Sequence, residues 1–156
     1  MFRNRKIKFI ALTATIASAF AIGVYAASPA DTIKERQDGL KSMGKIFKSV
    51  ADQLRGGNLD PATVKEASAT ISKTADAMAN WFPTGSGPEA GVKTAAKPEI
   101  WSDRATFDAA RQKLVDEAGK FAQLASAGDM SAIGGGVRGL GGACKNCHDK
   151  FRVKED

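Results

Sequence analysis

Histidine and cysteine are scarce in this chain, which has one histidine and two cysteines among its 156 residues. A structural zinc site needs about four ligands, so these three residues are too few to form one. The chain also lacks segments with the alternating pattern of β-strands. This absence argues against a thioredoxin-like βαβ unit around the cysteine pair.

All three of these residues lie in the stretch Cys144-Lys145-Asn146-Cys147-His148. Cys-x-x-Cys-His is the attachment pattern of c-type haem, in which two thiols bind the haem vinyl groups and the adjacent imidazole ligates the iron. On a helix the three side chains fall at i, i+3 and i+4, on one side. A short disulfide beside an unrelated histidine and a redox-active cysteine pair are the alternatives. We expect one haem c, held covalently by Cys144 and Cys147, with His148 as its iron ligand.

The N-terminal segment predicts export. A basic segment at 3–8 precedes an apolar run at 9–24, and Val24-Tyr25-Ala26 has the small residues of a cleavage site. The run has about 16 residues, fewer than the roughly 20 that span a bilayer, which favours a cleaved signal over a permanent anchor. We expect residues 1–26 to be removed, leaving a single periplasmic domain at 27–156 with no membrane anchor.

Net charge argues against a nucleic-acid partner. Of the 23 Lys and Arg and 17 Asp and Glu, the first 26 residues hold four cations and no acid, which leaves 19 cations against 17 acids. A weakly basic chain lacks the electrostatic footprint of nucleic-acid binding. About 130 residues are enough for one domain with a hydrophobic core.

Apolar residues at three- to four-residue spacing predict four helices. The first runs from Pro29 to about Leu54, the second from Pro61 to about Asn80, the third from Pro98 to Gly128, and the fourth follows a cap at Asp129. The connection at 83–97 is long, so it is either a flexible loop or a segment that crosses the bundle and covers something. This pattern predicts an all-α fold, an antiparallel up-down-up-down four-helix bundle with haem c in its core.

The fourth helix carries its cysteines on the apolar stripe. The stripe has a 4-3-4-3-4 spacing and consists of Ile133, Val137, Leu140, Cys144, Cys147 and Phe151. Six glycines crowd the same segment, at 134, 135, 136, 139, 141 and 142. Each glycine lowers helix stability by about 1 kcal/mol relative to alanine. We therefore expect that a neighbouring group approaches the helix closely at these positions, unless the helix is frayed or kinked. We favour packing of these glycines against the haem.

With these features the sequence resembles the cytochrome c′ family of the class II c-type cytochromes. The resemblance covers the whole mature chain. It rests on the C-terminal position of the haem motif, on Arg36-Gln37, on the Lys-Pro-Glu-Ile-Trp segment at 97–101, and on the continuation of the motif into Phe151-Arg152.

The resemblance implies roles for further residues. Arg36 and Gln37 match positions where the family hydrogen-bonds a haem propionate, the alternative being a solvated helix face. Arg152 would lie beside the imidazole of His148, or be an ordinary cation favoured by the helix dipole. The family often has an acidic or polar loop group just before the position of Pro98, where this chain has Thr-Ala-Ala at 94–96, so a loop contact to the haem stays open. Family members commonly pair through their two N-terminal helices, which implies a homodimer.

The sixth position of the iron decides the mechanism. Without a second histidine, the distal ligand is a methionine, a lysine, water or nothing. Low-spin relatives present a methionine four positions after the arginine, where this chain has Leu40. Leucine cannot ligate iron and excludes water, which favours a five-coordinate, high-spin haem. Met43, one turn further on, is either a core residue or the sixth ligand.

Together these patterns predict a non-enzymatic cytochrome that transfers electrons to redox partner proteins and binds small diatomic gases. An apolar pocket offers no donor for bound dioxygen, whereas NO and CO need none. The alternative is a six-coordinate low-spin electron carrier with Met43 on the iron. A peroxidase is disfavoured, since no distal histidine or arginine pair is available to cleave an O–O bond.

Overall fold

The computed structural model describes residues 27–154, and the predicted signal at 1–26 and the last two residues lie outside that range. The helices are α1 (Pro29–Gly56), α2 (Pro61–Ala77), α3 (Glu99–Ser102), α4 (Arg104–Ala127) and α5 (Ile133–Phe151). Single 3₁₀ turns lie at Met78–Asn80 and Pro88–Ala90.

The four long helices form a closed bundle. α1 packs on α2, α2 on α4, α4 on α5, and α5 on α1. Short connections at 57–60 and 128–132 make the helices they join antiparallel neighbours. Over residues 27–154 the structure has no strand, and its one isolated β-bridge pairs Ala96 with Arg152. The predicted all-α four-helix bundle is therefore confirmed. None of the helices in that range is both long enough and apolar enough to cross a bilayer.

The predicted helix ends follow from capping chemistry. Ser28 and Asp60 accept hydrogen bonds from amides in the first turns of α1 and α2, each followed by proline at the first helical position. Gly57 and Gly128 end α1 and α4 with φ of 69° and 67°, a left-handed conformation that glycine adopts without strain. These four residues set the starts of α1 and α2 and the ends of α1 and α4.

Two predicted boundaries were wrong. The helix expected from Pro98 to Gly128 is interrupted at Asp103, which has φ −122° and ψ 59°. The Asp103 carboxylate accepts a hydrogen bond from the amide of Thr106, so α4 has its own cap. The second helix, expected to reach about Asn80, is α-helical to Ala77 and continues as a 3₁₀ turn to Asn80. Asp129 accepts the amide of Ala132 at 3.1 Å and stabilises a turn, so α5 begins only at Ile133.

The core lies along the axis of the bundle and continues to the end of α2. Ile33, Val64, Phe107, Phe121 and Leu140 are each at most 1 % exposed. The ring of Phe107 makes edge-on contacts with Phe82 and Phe151, and Phe82 also makes a tilted contact with Trp101. These rings close the core beneath the connection between α2 and α3.

Two glycines of α5 pack against α4. A Cβ on Gly136 would lie 2.9 Å from the ring of Phe121, and one on Gly139 would clash with a carboxylate oxygen of Glu117. None of the α5 glycines lines the main cavity. The expectation that these glycines pack against the haem was wrong, because the groups nearest to them belong to neighbouring helices, α4 at positions 136 and 139 and α1 at positions 134 and 141. α5 is nevertheless continuous, so it is not frayed.

Candidate haem-binding site

A cavity of about 690 Å³ lies between the helices and opens beneath residues 93–96. Its size falls within the range of cofactor pockets in proteins, roughly 300–1,000 Å³. Its apolar wall is formed by side chains from every long helix, among them Leu40, Met43, Phe47, Ile71, Met78, Phe82, Ile100, Phe107, Leu114, Leu140 and Phe151. The cavity is therefore part of the bundle core, and it can hold a flat, mostly apolar group.

The side of the cavity formed by α5 between Leu140 and Phe151, which we call the α5 wall, brings the motif residues together. Cys144, Cys147 and His148 all line the cavity, the cysteines half-buried and the histidine on its exposed rim. Both cysteines are free thiols. Burial raises the pKa of the Cys144 thiol, and burial together with the charge of Cys144 raises the pKa of Cys147 to about 11. Both shifts favour the protonated thiol over the thiolate.

The pKa of His148 lies below its ordinary value. Burial of part of the ring lowers this pKa and the charge of Arg152 lowers it further, whereas the charge of Asp149 raises it and offsets part of the shift. A neutral imidazole offers the lone pair that a metal ligand requires. Arg152 itself is the residue after α5, with extended backbone, and its amide donates to the carbonyl of His148 at 3.1 Å. Both residues line the cavity.

The side of the cavity formed by α1, which we call the α1 wall, carries three apolar side chains, Leu40, Met43 and Phe47, beside the polar Arg36, Gln37 and Lys41. Leu40 and Phe47 are half-buried, and Met43 is 8 % exposed within the core cluster. Met43 is thus a core residue and also part of the cavity wall. The two residues that the sequence singled out for the sixth position lie on the same wall, one turn apart.

Arg36 is deeply buried. It is 2 % exposed, and its guanidinium donates to the carbonyls of Trp81 and Ser86 at 3.1 and 3.0 Å and to Thr94 Oγ1 at 3.0 Å. It also stacks over the ring of Phe82 at 4.7 Å. For Arg36 the alternative of a solvated helix face was therefore wrong. Gln37 is exposed, and its Nε2 donates to the carbonyl of Lys93 at 2.9 Å.

The charge on Arg36 has no acidic partner. None of the ion pairs formed by residues 27–154 includes it, and burial lowers its pKa. A buried cation without a counterion is costly, typically several kcal/mol. An anionic group in the cavity that Arg36 lines would offset this cost.

The whole cavity wall shares this charge asymmetry. Five cationic residues line it and no Asp or Glu does; the cations are Arg36, Lys41, Lys93, Arg111 and Arg152. The Nε of Arg111 is buried without a hydrogen-bond partner, its nearest carboxylate oxygen, on Asp108, being 3.8 Å away. Such a wall suits a ligand with carboxylates. Lys41, Lys93 and Arg111 were not predicted from the sequence, although Lys41 lies beside Leu40 and Arg111 lies one turn before Leu114.

These features fit haem c. The cavity combines an apolar interior for a porphyrin, a wall of cations for two propionates, two thiols for thioether bonds, and one imidazole for iron. The fold and the site together define the class of a helical-bundle protein that carries c-type haem.

The comparisons with known proteins agree. Residues 31–152 match the family model of cytochrome c′, and the chain belongs to the cytochrome c′ family. It is 35% identical over 144 residues to cytochrome c′ of Rhodopseudomonas palustris, which covers 91% of this chain and 96% of that protein. The resemblance inferred from the sequence is thereby confirmed.

Two solved cytochromes c′ have the same fold. A nitric oxide complex of a variant from Alcaligenes xylosoxidans superposes with a TM-score of 0.75 at 29% identity, covering 84% of this chain and 100% of that one. A cytochrome c′ described as having ligand-controlled dimer dissociation gives a TM-score of 0.75 at 28% identity, covering 83% and 100%.

Proposed function

We propose that this chain is an exported, non-enzymatic cytochrome that transfers electrons and binds NO and CO at a five-coordinate, high-spin haem c. The observation that carries the proposal is the asymmetry of the cavity. Its α5 wall presents Cys144, Cys147 and His148, whereas the α1 wall opposes them with Leu40 and Met43.

The α5 wall would hold one haem per chain. Cys144 and Cys147 would each add an S–H across a vinyl group, and His148 would supply the axial nitrogen. When bound, the haem supplies a one-electron iron couple and a coordination site for small gases. Arg36 and Gln37, together with Lys41, Lys93 and Arg111, would face its propionates. Arg152 would lie beside the imidazole, since its charge is close enough to lower the pKa of His148.

The α1 wall would control access to the other face. Leu40 is apolar and lines the cavity, so it excludes water and offers no hydrogen-bond donor to a bound gas. Neutral diatomics lose little by the lack of a donor, whereas polar or larger ligands must displace the leucine without compensation. A nitric oxide complex of a leucine-to-alanine variant with the same fold supports the binding of NO, though not the role of Leu40.

An optical titration tests the function. The purified, reduced protein is titrated with CO and then with NO, and the Soret band is followed. We expect a high-spin spectrum that converts to that of a gas complex. A spectrum that is low-spin before any gas is added would contradict the proposal.

The second candidate is a six-coordinate electron carrier. It is favoured by one observation, that the thioether of Met43 lies on the cavity wall one turn from Leu40. In that case Met43→Leu converts a low-spin spectrum into a high-spin one. In the five-coordinate case the same variant leaves the spectrum unchanged.

Location and partners complete the proposal. We expect a periplasmic protein that starts at Ala27, forms a homodimer and exchanges electrons with redox proteins. Neither a nucleic acid nor a permanent membrane anchor is part of this function. A dimer of the same fold is the precedent for pairing. N-terminal sequencing of the exported chain tests the cleavage, and analytical ultracentrifugation tests the dimer.

A further inference from the structure

The segment at 81–97, which we call the strap, is fixed to α1 by hydrogen bonds to Glu35, Arg36 and Gln37. Two of these bonds reach its second half, at residues 93 and 94. Arg36 Nη2 donates to Thr94 Oγ1 at 3.0 Å, and Gln37 Nε2 donates to the carbonyl of Lys93 at 2.9 Å. Residues 93–96 of the strap line the cavity. The strap is therefore the segment that covers the cavity, as one of the two sequence-based alternatives expected.

The far end of the strap is fixed to the end of α5 by backbone hydrogen bonds. The amide of Lys97 donates to the carbonyl of Phe151 at 3.0 Å, and the amide of Val153 donates to the carbonyl of Ala95 at 2.8 Å. The last carbonyls of a helix have no partner within the helix, and its last turn frays without such contacts. These two bonds hold the end of α5 against the strap.

Thr94 connects the contact that the strap makes with α1 to the contact that it makes with the end of α5. Its Oγ1 accepts from Arg36 Nη2 and, at 3.2 Å, from the amide of Ala96. Ala96 is the bridge partner of Arg152, whose amide donates to the carbonyl of His148 at 3.1 Å. An uninterrupted path of short-range contacts thus connects α1 with the backbone of the residue that carries the imidazole.

We propose that Thr94 and Arg36 are positioning residues for His148: through the strap, they fix the last turn of α5 from the opposite side of the cavity. Neither needs to touch the imidazole. Arg36 holds Thr94 in place, Thr94 orients Ala96, and the backbone pairing transfers that position to the end of α5. The inference depends on the proposed function only in taking His148 as the iron ligand.

A pair of nearly isosteric variants of the haem-loaded protein tests this inference. Thr94→Val removes the acceptor and keeps the shape, whereas Thr94→Ser keeps the acceptor. Thr84→Val is the matched control, because Thr84 is an exposed threonine of the same strap. The readouts are hydrogen exchange at the amides of Lys97 and Val153, and the iron–histidine stretching band of the reduced protein by resonance Raman spectroscopy.

We expect Thr94→Val to accelerate exchange at both amides about fivefold or more and to shift or broaden the iron–histidine band. Thr94→Ser and Thr84→Val should keep wild-type values. Arg36→Lys, which retains the charge and loses the forked donor, should change both readouts in the same direction as Thr94→Val.

Wild-type exchange at both amides in Thr94→Val would overturn the proposal. Faster exchange with an unchanged iron–histidine band would also overturn the proposal, because the strap would then cover the cavity without orienting His148. Failure of the proposed function is distinguishable, because it would appear in the wild-type protein as the absence of covalent haem or of the iron–histidine band.

Discussion

The two walls of the cavity obtain their properties in different ways. On α5, three reactive side chains lie within five consecutive residues, and helical spacing alone brings them to one face. On α1, Leu40 and Met43 are ordinary apolar residues whose importance comes from what they face across the cavity. Under the proposed function, haem attachment would depend on residues close together in the sequence, whereas ligand selectivity would depend on packing. Substitutions on the two walls should therefore fail in different ways.

The largest effect is expected on the α5 wall. The double substitution of Cys144 and Cys147 by alanine should abolish covalent haem almost completely, because the chain has no other cysteine. The measurement is haem absorbance that survives denaturation and acid extraction, together with intact mass. Lys145→Ala is the control, since Lys145 is an exposed residue of the same motif, and it should retain full haem content. Covalent haem in the double variant would contradict the assignment of the attachment site.

On the α1 wall, Leu40→Ala should retain haem and change gas binding. Burying a leucine side chain is worth about 1.5–3 kcal/mol. If a bound gas must displace it, its removal should tighten CO binding roughly tenfold to a hundredfold. Leu54→Ala is the control, because Leu54 is a half-buried leucine of the same helix that packs towards Gly134 and does not line the cavity. Equal CO affinities in both variants would show that Leu40 is not the distal wall.

The glycines of α5 allow a comparison within a single helix. Gly136→Ala should destabilise the protein by about 1–3 kcal/mol, since its Cβ would lie 2.9 Å from the ring of Phe121. Gly142→Ala should stabilise it by about 0.5–1 kcal/mol, because nothing lies within 4 Å of the added Cβ. Urea denaturation of the haem-loaded variants measures both. Effects of the same sign would show that packing against α4 does not explain these glycines.

The smallest effect is expected for Met43→Leu. The two side chains have similar volumes, so the free energy of unfolding should change by less than about 1.5 kcal/mol. The optical spectrum of the reduced protein should not change. A wild-type spectrum that is low-spin and becomes high-spin in Met43→Leu would place Met43 on the iron. The α1 wall would then supply an iron ligand, as the α5 wall does.

Much of the fold could be predicted because its signals are short-range. The caps at Ser28 and Asp60, the glycine ends of α1 and α4, and the period of the α5 stripe each involve residues within about one helical turn. The break at Asp103 was missed because the apolar period continues through it from Ile100 to Phe107. The preference of aspartate for cap positions was the signal that could have revealed it.

The site was only partly predictable for the same reason. The motif and Leu40 could be recognised along the chain, but the partners of Arg36 lie between 45 and 58 residues away from it. Its burial and its bonds to the strap therefore depend on the fold. The cationic wall also forms only when Lys41, Lys93 and Arg111 come together from different elements. The glycine contacts with Glu117 and Phe121 depend in turn on which helix neighbours α5.

The spin state of the reduced protein before any gas is added tests the contrast between the two walls most directly. Magnetic susceptibility and the optical spectrum of the purified protein, measured together, determine it. An α5 wall that supplies a single axial ligand and an α1 wall that supplies none predict a high-spin, five-coordinate ferrous haem that becomes low-spin when NO or CO is added. A low-spin ferrous haem in the absence of gas would contradict this result and would show that the α1 wall provides a ligand.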